Sequence, residues 1–105
     1  MSAGEEEEAG PPLPPVHEAL LDEATVDQLV GDLLGAATLH AVLVKGGAEA
    51  LAEGVEGMTL QAAVGLLRGG RVRAVQVRYT HAGRRWTDTL MRVGTAVRLV
   101  RMETP

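Results

Sequence analysis

The sequence predicts an α+β domain in which two amphipathic helices pack on one face of a mostly antiparallel sheet of about four strands, in the order α-β-α-β-β-β. Three observations carry that expectation. Two stretches, opening near Thr25 and Thr59, repeat apolar residues with the 3.6-residue period of a helix. Residues 72–102 alternate apolar and polar side chains with period two, interrupted by two turn signals. The chain has 105 residues, 46% of them hydrophobic and 23% charged, which suits one compact domain and no more.

Residues 1–15, MSAGEEEEAGPPLPP, combine four consecutive Glu with four of the five Pro. Too little apolar surface is present there to offset the entropy of ordering. The segment therefore reads as a disordered acidic, Pro-rich arm, followed by a single compact domain over residues 16–105. Its negative charge and lack of an apolar run do not fit a secretory signal. No stretch approaches the ~18 apolar residues of a membrane span, so no membrane partner is expected. Missing Cys fits a reducing compartment, and the expected location is the cytoplasm.

Residues 17–21 read as a separate turn ahead of the first helix. That helix is the clearest element: Val26, Leu29, Val30, Leu33, Leu34 and Ala37 fall on one face. Thr25 and Gln28 form a T-x-x-Q capping box in front of it. Gly31 and Gly35 each weaken a helix interior by about 1 kcal/mol against Ala, and their spacing suits a close helix contact. Residues 39–44, LHAVLV, are apolar on both faces and too short for an ordinary helix, which predicts a central buried strand. Gly46-Gly47 ends it, and residues 48–53 favour a short helix. Thr59 caps the second helix, with Leu60, Ala63, Val64 and Leu67 on one face and Gly69-Gly70 as its left-handed stop. This helix and its flanking strands make a β-α-β unit long enough for a crossover.

The three-stranded C-terminal meander follows, over residues 72–80, 85–93 and 96–102. The turn at residues 81–84 sets Tyr79 opposite Trp86, Val77 opposite Asp88 and Val75 opposite Leu90. Gly94-Thr95 has the glycine-first pattern of a type II′ hairpin and sets Leu90 opposite Leu99 and Asp88 opposite Arg101. Strand alternation then sorts two faces. One carries Val75, Val77, Tyr79, Trp86, Leu90, Val97 and Leu99, for the helices to cover. The other is open and carries Gln76, Arg78, Arg85, Thr87, Thr89, Met91 and Arg98. Asp88 lands on the apolar face, where an unpaired carboxylate is costly, so a structural ion pair with Arg101 is expected.

The chemistry is defined mostly by what is missing. With no Cys, and Ser only at position 2, thiol nucleophiles and disulfides are excluded, as are thiolate metal sites and a Ser triad within the domain. His17, His40 and His81 lie far apart and lack metal-site spacing. No phosphate-cradling Gly loop precedes a helix. Neither catalytic residues, nor metal, nor cofactor are expected, and the chain reads as a non-enzyme.

Charge is the positive signal. Residues 1–58 hold twelve acids and one base, Lys45, whereas residues 59–105 hold nine Arg and two acids. Scarce Lys and absent Ile, Phe and Asn indicate a GC-rich coding background, which accounts for Arg replacing Lys but not for this polarity. Arg78, Arg85 and Arg98, on three successive strands, are expected within the reach of opposed or diagonal pairs. The sequence thus predicts a small accessory or adaptor domain that binds an unidentified protein client through this face. A homodimer through a free sheet edge, placed at the last strand, is a further expectation. A nucleic-acid-binding regulator using the same Arg set is the alternative, and the weaker one. Its bases would need exposed aromatics to stack on, and both aromatics fall on the other face.

Overall fold

The computed structural model describes residues 16–46 and 58–104. Over them the chain runs β1 (Val16–Leu21), α1 (Glu23–Ala36), β2 (Thr38–Lys45), α2 (Leu60–Arg68), β3 (Ala74–His81), β4 (Arg84–Val93) and β5 (Ala96–Thr104). One sheet has the strand order β1-β5-β4-β3-β2, and every neighbouring pair is antiparallel. The domain is α+β with two helices, but its sheet has five strands rather than about four. The acidic arm at residues 1–15 and the short helix expected at residues 48–53 lie outside the described residues.

The additional strand is β1, where local composition suggested a turn. Its Glu, Ala and Leu are not strand formers, yet it pairs along its whole length with β5, from Val16 opposite Met102 to Leu21 opposite Val97. Glu18 reaches Arg98 at 2.9 Å across that pair, over a sequence separation of 80. A partner so distant leaves no local trace. β1 also moves the edges: β5, expected to be free on one side, is covered, and the edge strands are β1 and β2.

β2 is therefore an edge and not the central strand that its apolar run suggested. The run has another cause. Register passes from Leu39 opposite Tyr79 to Ala41 opposite Arg78, so His40 is an extra residue in a β-bulge. The bulge shifts the alternation, and Leu39, Val42 and Val44 all reach the core. β2 and β3 are antiparallel neighbours, so the helical connection between them is no parallel crossover.

The N-cap of α1 lies three residues before Thr25, so the T-x-x-Q pattern falls inside the helix. Asp22, extended at φ −84° and ψ 177°, is its N-cap, and its Oδ1 accepts the Thr25 N–H at 2.8 Å. That bond holds the Asp22 carboxyl below its ordinary pKa. Val26 and Leu33 are buried and Leu29, Val30 and Ala37 pack beside them, while Leu34 stays 44% exposed. α2 is capped by Thr59, whose Oγ1 accepts the Ala62 N–H at 3.0 Å. It ends in a Schellman motif: Gly70 has φ 75°, Gly70 N–H bonds Leu67 O, and Arg71 N–H bonds Leu66 O.

Val26, Leu33, Leu60, Ala63, Val64 and Leu67 from the helices form one cluster with Val75, Val77, Tyr79, Leu90, Val97 and Leu99. The strand members occupy a single set of alternating positions, the register being the one the turns dictate. The β3–β4 turn has Ala82 at φ 54° and Gly83 at φ 79°, the paired left-handed conformations of a type I′ hairpin. Gly94 at φ 62° opens the β4–β5 turn.

Asp88 lies in this core with no exposed surface. Arg101 Nε donates to its Oδ1 at 2.9 Å and Nη2 to its Oδ2 at 2.8 Å, a bidentate pair. The Tyr79 hydroxyl donates to Oδ1 at 3.0 Å. Burial and the neighbouring carboxylate push the Tyr79 pKa well up, and the bond to Asp88 raises that of Arg101. Among the described residues, no helix is long and apolar enough to cross a membrane.

Two predictions follow from this packing. Arg101→Leu strands a buried carboxylate and should lower unfolding free energy in urea by about 3–5 kcal/mol. Changing Tyr79→Phe, Asp88→Leu and Arg101→Leu together should recover most of that loss, because apolar packing rivals a buried ion pair; no recovery would mean the charges themselves hold the core. In α1, a Cβ built at Gly31 or Gly35 meets nothing within 4 Å, so the helix does not use the close approach their spacing permits. Each change to Ala should raise stability by about 0.8–1 kcal/mol, and a loss of stability at either position would contradict the packing described.

Candidate functional site

The face opposite the core carries the basic and polar residues singled out by sequence. No described element covers it. Rows across the sheet follow from the register. Leu20, Arg98, Met91 and Ala74 form one row, and Glu18, Val100, Thr89, Gln76 and Leu43 the next. Met102, Thr87, Arg78 and Ala41 come third, then Thr104, Arg85, Thr80 and Thr38.

The structure does not bring the three expected arginines together. Arg98 aligns with Met91 and Arg85 with Thr104, six residues apart along β4. At the rise of an antiparallel strand that is about 20 Å. Sharing a face fixes only the parity of positions, not the distance along the strands, so the expected single cluster divides in two. Arg98 stands beside β1 and is bound to Glu18, which neutralises it. Arg78 and Arg85 remain diagonal neighbours at the other end. Arg78 Nη2 makes only a long contact, 3.4 Å, with Gln76 Oε1, and Arg85 has no ion-pair partner among the described residues.

Sequence reasoning missed His40 as a member of this site. The bulge turns it onto the open face, where Nε2 lies 2.7 Å from Thr80 Oγ1. Nothing in the run LHAVLV marks the bulge. His40, Arg78, Thr80, Arg85, Thr87 and Thr104 line an open hollow of about 650 Å³, which Tyr79 and Trp86 also border and whose wall contains no acidic residue. The hydroxyls of Thr87 and Thr104 lie 3.2 Å apart within it. The hollow thus offers two guanidinium groups, an imidazole and three hydroxyls, a donor set matched to carboxylate or phosphate oxygens.

Beside it runs an apolar strip. Leu20 is 65% exposed and Met102 42%, with Val100 half-buried between their rows. Met91 is also half-buried, and Thr89 and Gln76 lie between the strip and the basic hollow. Among the described residues, no three His, Asp or Glu side chains gather where they could hold a metal ion. No protein-family model, curated protein or solved structure matches this chain.

Proposed function

We propose that this chain is a small, non-enzymatic accessory domain that binds an acidic segment of a protein client on its open sheet face, in a cytoplasmic setting. The observation that carries the reading is the hollow of His40, Arg78, Thr80, Arg85, Thr87 and Thr104, donor-rich and free of acids, beside the exposed Leu20 and Met102. Carboxylates of the client pair with Arg78 and Arg85, and its apolar side chains cover the Leu20–Met102 strip. Interfaces combine those two ingredients, apolar contact for affinity and charge for orientation. Gln76, Thr87 and Thr89 supply polar contacts between them.

A phosphate backbone would use the same guanidinium groups, but two features favour a protein. Tyr79 and Trp86 border the hollow, but Tyr79 is buried and Trp86 packs against the core, so neither presents a fully exposed ring on which a base could stack. Arg98 is committed to Glu18, which shortens the positive track.

Fluorescence anisotropy of a labelled peptide alternating Glu and Leu tests the reading, in the full chain and in a variant with residues 5–8 changed to Gln. Arg78→Glu or Arg85→Glu should each weaken binding by about tenfold or more, the worth of one charge-assisted contact. Arg98→Glu should weaken it less. Equal binding by the Arg78→Glu and Arg85→Glu variants would defeat the proposal. A salt-sensitive complex with mixed-sequence DNA or RNA well below about 10 μM, tighter than ordinary non-specific binding, would replace it with the nucleic-acid reading.

A further inference from the structure

The core side of the sheet is not covered to its end. Beyond the last turn of α1, two open hollows of about 450 and 350 Å³ meet at Tyr79, His81 and Arg101. The larger is walled by His17, Ala19, Trp86 and Leu99, and the smaller by Leu29, Leu33 and Ala36. Apolar walls around a few convergent polar groups are the usual layout of a small-molecule site, and these volumes lie in its lower range.

The polar groups at the centre are set in place before any ligand arrives. Asp88 and Tyr79, bonded as described above, fix the plane of the Arg101 guanidinium. Asp88 takes two of its five donors, and 32% of the Arg101 side chain remains exposed where both hollows meet. His81 Nδ1 lies 3.1 Å from Ala36 O. A carbonyl only accepts, so Nδ1 carries the proton, and in the neutral ring Nε2 is an acceptor that offers a carboxylate no hydrogen bond. His17 stands directly opposite Arg101 in the β1–β5 pair, on the same side. Three nitrogen-bearing side chains thus surround one place in the larger hollow. Its single acid, Glu18, is drawn away by Arg98 at 2.9 Å. Asp32 borders only the smaller hollow.

We propose that the larger hollow binds a small monocarboxylate with an apolar body. Its carboxylate sits on Arg101 beside His17, and its body lies along Ala19, Trp86 and Leu99. The site opens on the core side of the sheet, shares only Tyr79 and Trp86 with the lining of the client-binding hollow, and does not depend on that reading.

Trp86 is the chain's one Trp and borders both this hollow and the basic one. Its fluorescence and indole N–H resonance therefore report binding, and amide shifts at Ala19 and Leu99 rather than at His40 and Arg85 place the ligand. Titration of the full chain with octanoate should shift both Trp86 signals saturably, with a Kd near 1 mM, reasonable for about ten heavy atoms at ordinary ligand efficiency. Octanamide, which keeps the body and loses the charge, should bind about tenfold more weakly. Substituting Arg101 would strand Asp88, so the variants are His17→Leu, which removes one donor beside Arg101, and Ala19→Phe, which fills the hollow without touching the Asp88 cluster. Both should weaken octanoate binding while the NMR spectrum stays dispersed. Any of four results would overturn the proposal: no saturation by about 20 mM, well past the expected range; octanamide binding as tightly; Ala19→Phe binding as well as the native chain; or octanoate shifts centred on His40, Arg78 and Arg85.

Discussion

One buried carboxylate sets the terms for the rest of the sheet. Asp88 sits on the middle strand with no exposed surface, and its two oxygens are satisfied from both neighbours, Tyr79 on β3 and Arg101 on β5. Hydrophobic patterning excludes a one-residue slip, since that would turn every core side chain outward. It does not exclude a two-residue slip, which keeps the faces intact. Asp88 does. Shifting β5 by two places would set Leu99 or Glu103 opposite the carboxylate and leave a buried charge without its cation, a cost of several kcal/mol. The ion cluster thus reinforces the register that the two short turns set, where apolar burial alone is degenerate.

That register serves both sides of the sheet. The core-side rows set His17, Arg101 and Asp88 in line across β1, β5 and β4, with Trp86 and Tyr79 in the row beyond. The open-side rows of the same register place Arg78 next to Arg85 and send Arg98 to the far end beside Glu18. The two candidate surfaces are consequences of one alignment. The open side joins charge to an exposed apolar strip, as suits a macromolecular partner, whereas the core-side hollow is the smaller of the two and joins one guanidinium to apolar side chains.

The edges follow a different logic. β2 carries a bulge at His40 and ends in Lys45, both of which discourage another strand from pairing with it. β1 has neither a bulge nor a proline within it, and its Leu20 is exposed. The bulge has a second effect, because the extra residue that spoils the edge also brings His40 to Thr80 and so completes the basic hollow. An irregularity in strand geometry thereby supplies a functional side chain, a role that bulges often play beside binding sites.

Sequence alone determined the elements whose causes are local. The helices follow from 3.6-residue periodicity and from Thr59 as a cap. The β3–β5 meander follows from two short turns that fix pairing parity, and the burial of Asp88 opposite Arg101 follows from that parity. Tertiary structure decided whatever depended on distant partners. β1 is a strand because β5 offers it an edge 80 residues away, against the preference of its own Glu, Ala and Leu. β2 is an edge because no other strand lies beyond it in the sheet, and its apolar residues break strict alternation because a bulge sets Leu39, Val42 and Val44 on the core side. The basic face was legible as a list of residues, since alternation decides which side each one takes. Its geography was not, because alternation says nothing of distance along a strand: Arg98 parted from Arg78 and Arg85, while His40 joined them through a bulge that exists only in the pairing of two strands.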